Sequence, residues 1–99
     1  MSFFEKLYDE HENAKVRFIG FIANDVRYDI GIVYSNMFFG KPLVICMQSN
    51  QCILLDRQDV LYPNQLKNLC KLKSDEEAMK LADYLSDLLP HPSIEESYD

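Results

Sequence analysis

Histidine, glycine, cysteine pairs and long apolar runs are all scarce in this chain, and each scarcity removes a class of function. The two histidines, His11 and His91, lie eighty residues apart. Zinc is usually held by Cys and His at short spacing, and no such set exists here. The acidic run Asp75-Glu76-Glu77 reads as helix capping rather than ligation, so no metal and no cofactor is expected. There are three glycines. Phe39-Gly40-Lys41 lacks the GxxxxGK[ST] spacing of a phosphate loop.

No apolar run exceeds five residues, far short of a membrane span. Met1 to Asn13 is charged and has no continuous apolar stretch, so no signal peptide is expected. Cys46, Cys52 and Cys70 are an odd number without a CxxC pair, which points to a reduced, cytoplasmic protein. Cys46 and Cys52 sit in apolar strands, where a thiol behaves as a small hydrophobe. Cys70 has Lys67, Lys71 and Lys73 nearby but ends a helical pattern instead of starting one, so no nucleophile is expected.

Positive charge is also short. The net charge is −6, with −1 in residues 1–50 and −5 in residues 51–99. Such a surface disfavours nucleic acid and anionic membranes. A further reading is an acidic mimic of nucleic acid, but Lys80 interrupts the helix face of Glu76, Asp83 and Asp87 that it would need.

Tryptophan is absent too, yet twelve Phe and Tyr supply large core pieces. Ninety-nine residues suit one domain. The domain is expected over 1–90, with an acidic, mobile tail over 91–99. Lys15 to Ile22 reads as a strand, and Arg27 to Tyr34 as a second. Asn24-Asp25 between them meets the positive-φ needs of a type I′ hairpin. A two-residue loop there pairs Phe21 with Tyr28, Ile19 with Ile30, Arg17 with Ile32 and Phe18 with Gly31. The core face is then Ile19, Phe21, Tyr28, Ile30, Ile32 and Tyr34. Leu43 to Gln48 and Cys52 to Asp56 form a second hairpin of open register. Apolar on both sides, these two strands are expected in the sheet interior or under cover on both faces.

Pro63 followed by Leu66, Leu69 and Cys70 predicts a short helix over 63–70. Ser74-Asp75-Glu76-Glu77 is a capping box, and Ala78, Leu81, Ala82, Leu85, Leu88 and Leu89 form a stripe that runs to Pro90. That predicts an amphipathic helix over 75–89. The piece Ser2 to Tyr8 fits a short helix or an extended arm that tucks Phe3 and Phe4 against the sheet. The fold class is therefore α+β: a four-stranded, mainly antiparallel sheet over 15–56 packed on the C-terminal helix.

The segments KVRFIGF, RYDIGIVYSNMFFGKPLVICMQS and SDEEAMKLADYLSDLL resemble a family of small cytosolic proteins of unknown function from low-GC Gram-positive bacteria. Val16-Arg17-Phe18, Arg27-Tyr28-Asp29 and Phe38-Phe39-Gly40-Lys41 carry the resemblance, which spans most of residues 3–89. It implies a compartment and a source, and no catalytic residue.

Two functional readings remain. Met37, Phe38 and Phe39, beside Lys41, either cap the core or form an exposed anchor for a protein partner or a second copy. The anchor reading makes the chain a non-enzymatic interaction or regulatory module acting as a homodimer. The alternative is a small-ligand site or enzyme around Arg17, Arg27, Tyr28, Asp29 and Tyr34. It requires these side chains to converge, although strand alternation points Arg27 and Asp29 away from the others.

Overall fold

A computed structural model describes residues 3–90 of the chain. Four strands, β1 (Lys15–Ala23), β2 (Val26–Tyr34), β3 (Leu43–Cys46) and β4 (Gln51–Leu54), form one antiparallel sheet in sequence order. Helices α1 (Asn64–Cys70) and α2 (Asp75–Ser86) follow, with a single 3₁₀ turn at Asp59–Leu61 before them. The architecture is α+β, as the run of strands followed by helices predicts. The expected tail over 91–99, and Ser2 at the start of the N-terminal piece, lie outside the described residues.

The first hairpin has the predicted register, from Lys15↔Tyr34 to Ala23↔Val26. Asn24 and Asp25 take φ of 52° and 63°, as a type I′ turn demands. Alternation then drives Tyr28, Ile30 and Ile32 into the core, with Ile19, Phe21 and Tyr34 at its margin. Phe21 stacks on Tyr28 with ring centroids 5.4 Å apart. The second hairpin pairs Leu43↔Leu54 and Cys46↔Gln51 across a turn over 47–50, where Asn50 has φ 58°. Ser49 Oγ donates to Leu69 O at 2.5 Å and ties that turn to α1.

Three expectations are corrected. β3 and β4 are covered on one face only: Val44 and Cys46 are buried, but β4 is an edge strand with Gln51 and Cys52 exposed. Apolar character on both sides therefore does not mean cover on both sides. Residues 3–14 form no helix, and Phe3, Phe4, Leu7 and Tyr8 are exposed instead of tucked in. An isolated turn or two of helix nucleates poorly without a surface to pack on. Finally, α2 ends at Ser86 rather than Leu89.

That early end has a tertiary cause. Arg57 Nε donates to Ser86 O at 2.8 Å and to Leu89 O at 3.1 Å, and Tyr34 Oη donates to Leu88 O at 2.8 Å. Ser86 O is one of the carbonyls that a helix end leaves open, and Leu88 O and Leu89 O belong to the segment that follows. The other end is as expected: Ser74 Oγ accepts from Glu77 N at 3.2 Å. Ala78, Leu81, Ala82 and Leu85 bury the stripe, joined by Leu66, Leu69 and Cys70 of α1 and by Leu89 beyond α2. Lys71 closes α1 in the left-handed region (φ 54°, ψ 46°), with Leu72 N donating to Lys67 O. Both helices cover one face of the sheet, and Asn24 Nδ2 at the hairpin tip reaches Glu77 of α2 at 2.6 Å.

Candidate functional site

The connection between β2 and β3 holds the least ordinary backbone in the molecule. Phe38, Phe39 and Gly40 take φ of 55°, 64° and 75° in succession. Glycine reaches this left-handed region freely, but a side chain on Cβ meets the carbonyl oxygen that follows and costs roughly 1–2 kcal/mol per residue. The two phenylalanines gain little burial in return, being 52% and 86% exposed. The segment is therefore an exposed aromatic tip, while Met37 beside it is half-buried.

Hydrogen bonds hold the tip in place. Gly40 N donates to Met37 O at 3.1 Å and Lys41 N to Phe38 O at 3.3 Å. Ser35 Oγ accepts from Met37 N at 2.9 Å and donates to the Glu12 carboxylate, which also accepts from Asn36 N. Glu12 thus clamps the N-terminal arm to the base of the tip. Tyr8, His11, Met37 and Phe38 line a groove of about 430 Å³ between the two.

The far side of the tip is anchored by charge. Lys41 Nζ lies 2.9 Å from Asp59 and 3.9 Å from Asp56. Asp56 is buried, and the two aspartates exchange backbone bonds: Asp56 N donates to Asp59 Oδ2 and Asp59 N to Asp56 Oδ1, each at 2.9 Å. The bond to Asp59 holds the Lys41 ammonium above its usual pKa. Burial pushes the Asp59 carboxyl up, but the bonds from Asp56 N and Lys41 outweigh it and leave the group lowered. Lys41 is thus a fixed strut, and Pro42 after it is buried.

Arg17, Arg27, Tyr28, Asp29 and Tyr34 are not brought together. Tyr28 is buried in the core, where desolvation raises its phenol. Tyr34 is committed to Leu88 O, just beyond α2. Arg17 is exposed near the start of β1. Arg27 and Asp29 do meet, on the opposite face: Arg27 Nε lies 3.0 Å from Asp29 Oδ2. Gln48 completes that pair by donating Nε2 to Asp29 Oδ2 at 2.7 Å and accepting from Asp29 N at 2.8 Å. The Gln48 bond and then Arg27 hold the Asp29 carboxyl below its usual range. Both carboxylate oxygens are engaged, Oδ2 by Arg27 and Gln48 and Oδ1 by Arg27 Nη2 at 3.3 Å, so the group serves as a cross-strand brace.

Among the described residues no group of three His, Cys, Asp or Glu is placed to hold a metal ion, and no helix is long and apolar enough to cross a membrane. Burial, with a hydrogen bond to Cys46, pushes the Cys70 thiol far up, which leaves it unreactive. Cys52 departs from expectation: it is exposed on the edge strand.

A second concavity, about 310 Å³, lies between the first hairpin and α2, with Phe21, Leu72, Leu81 and Tyr84 as apolar walls and Glu77 and Lys80 at its rim. Sequence reasoning missed it, because its walls come from elements some fifty residues apart that only docking of the hairpin on α2 brings together. The signal it did leave is Tyr84, an aromatic at the border of the leucine stripe.

No curated protein matches the chain. The model of one family, SAV0927-like, matches residues 7–87 and so takes in both hairpins, the aromatic tip and both helices. On that match the chain belongs to the SAV0927-like family.

Proposed function

We propose that this chain is a non-enzymatic interaction module that works as a homodimer and presents the Phe38–Phe39 tip to a protein partner. The carrying observation is that two phenylalanines are held exposed in left-handed backbone by a built set of bonds from Glu12, Ser35 and Lys41. Backbone strain of this kind clusters at ligand clamps and switch regions. Aromatic side chains with a fixed backbone also lose little entropy on binding and are enriched at the centres of interfaces. The free thiols and the resemblance to small Gram-positive proteins support a cytosolic setting in a low-GC Gram-positive bacterium.

The test is capture of partners from native cytosol at low salt by the tagged chain and by a Phe38→Ser, Phe39→Ser double variant. The expected result is a reproducible protein retained by the first and lost by the second. The variant's circular dichroism should be unchanged, because the removed rings bury little. Retention of the same protein by both would end the reading.

A further inference from the structure

The two edges of the sheet are finished differently. β4 at one edge has four residues, and α1 stands beside it across a narrow cleft. β1 at the other edge has nine, without proline, and pairs with β2 in unbroken register. The arm before β1 is fastened by Glu12 to Ser35 and Asn36, past the end of β2. Among the described residues, no backbone hydrogen bond reaches the outer side of β1. Proteins blunt such an edge or pair it, because a row of open N–H and C=O groups is a template for another strand.

Which groups lie open follows from the hairpin. Ala23 and Val26 flank the two-residue turn, the position at which a type I′ hairpin exchanges its closing bonds. Odd-numbered residues of β1 therefore bond to β2, and even-numbered ones turn their backbone groups outward. Met47 N donates to Asp29 O, so Asp29, opposite Gly20, faces β3 as this alternation requires. The open groups belong to Val16, Phe18, Gly20 and Ile22, which are placed symmetrically about Ile19. When a second β1 runs antiparallel with Ile19 opposite Ile19, Phe18 meets Gly20 and Val16 meets Ile22, and every open group finds a partner. That makes about eight hydrogen bonds, close to the ten or so of a standard interface.

Charge favours the same arrangement. β1 begins with Lys15 and Arg17. Its far end meets acid: Asp25 in the turn, and Glu77 hydrogen-bonded to Asn24. Antiparallel pairing sets the basic end of each copy beside the acidic end of the other. Arg17, which is exposed, falls opposite Phe21 of the other copy, whose ring lies 6.4 Å from that of Tyr84. A guanidinium is attracted to such ring faces. A register centred on Arg17 would instead oppose like charges.

We infer that the free edge of β1 is the homodimer contact, a two-fold pairing of β1 with β1 centred on Ile19 that joins two four-stranded sheets into one. This rests on the reading of the chain as a homodimer. Because Tyr34 lies opposite Lys15, the pairing leaves the two aromatic tips at opposite ends of the joined sheet, free for a different protein.

Sedimentation equilibrium over a wide concentration range and disulfide trapping test it. Wild type is expected to dimerise reversibly. Phe18→Pro removes an outward N–H without touching a bond to β2, and is expected to weaken the dimer more than about tenfold with its circular dichroism kept. At the axis the opposed Cα atoms of a non-hydrogen-bonded pair lie about 4.5 Å apart, within reach of a disulfide. Cys46 and Cys70 are buried and Cys52 is exposed, so Ile19→Cys is made in a Cys52→Ser background and is expected to cross-link under diamide. Arg17→Cys in the same background, its Cα atoms roughly 13 Å apart along the strands, is expected not to. Cross-linking through Ile19→Cys alone upholds the inference even where Phe18→Pro fails to fold. A wild type that is monomeric throughout overturns both the homodimer reading and this edge. A wild-type dimer in which Ile19→Cys does not cross-link leaves the homodimer standing and overturns the edge. Cross-linking through Arg17→Cys as fast as through Ile19→Cys overturns the register and the inference with it.

Discussion

At the residue scale, the positive-φ positions apart from the helix cap at Lys71 divide by chemistry. Asn24, Asp25 and Asn50 sit in turns, where short polar side chains tolerate left-handed backbone. Phe38 and Phe39 have no such tolerance, and their conformation is imposed by Glu12, Ser35 and the Lys41 strut. Replacing Phe39, which is 86% exposed, with glycine relieves roughly 1–2 kcal/mol of strain against roughly 0.5–1 kcal/mol of added chain entropy. Phe39→Gly is therefore expected to raise stability by about 0.5 kcal/mol in urea titration while weakening partner capture. A variant that is clearly less stable would show that the Phe39 ring contributes more packing than its exposure implies. The Asn24-Asp25 turn was legible because its residue types carry the preference. The tip was legible only as an anomaly of three apolar residues in a turn, since phenylalanine carries no signal for left-handed backbone.

At the element scale, α2 shows where a sequence pattern stops being sufficient. Its start is coded locally: Ser74 caps Glu77 N, and Asp75, Glu76 and Glu77 stand at the positive end of the helix dipole. Ser74→Ala should cost about 1 kcal/mol. Its end meets Arg57 and Tyr34, more than twenty residues away in the chain: Arg57 takes up Ser86 O, and the two side chains hold Leu88 O and Leu89 O just beyond the helix. Periodicity carried the leucine stripe on to Leu89, and Leu89 is indeed buried, but in a segment that has already left the helix. Tyr34→Phe keeps the ring and removes the donor to Leu88 O, so it should cost about 1 kcal/mol and loosen the link between sheet and helix. Hydrogen exchange at Leu88 to Pro90 should quicken in that variant relative to the core of α2. Unchanged exchange there would show that Arg57 alone holds the helix end.

At the scale of the whole molecule, three carboxylates tie elements together and give the fold its acid limb. Gln48 and Arg27 lower Asp29, bonds from Asp56 and Lys41 lower Asp59 against the effect of burial, and Asn24 lowers Glu77 with help from Lys73 N and Ser74. A carboxyl lowered in the folded state binds its proton less readily there than in the unfolded chain. Its contribution is therefore complete above the unfolded value, about 4, and is lost as pH falls through the folded value. The melting temperature should hold level from pH 7 to about pH 5 and fall below that. Lys41→Met removes a bond that lowers Asp59, so it should depress Tm more at pH 7 than at pH 3. Equal depression at both would place the effect of Lys41 in packing rather than charge.

The first hairpin's register, the start of α2, the burial of Leu66, Leu69 and Cys70 and the α+β class follow from the sequence by itself. Each is decided by neighbours within a few residues, through turn chemistry, capping and periodicity of 2 or 3.6. The tertiary structure alone decided that β4 lies at the sheet edge, that one face of β3 and β4 stays open, and that Phe38 and Phe39 stand exposed. Residue type records how favourable burial would be, but whether a surface is buried depends on what else reaches it. Two short helices reach only one side of a four-stranded sheet.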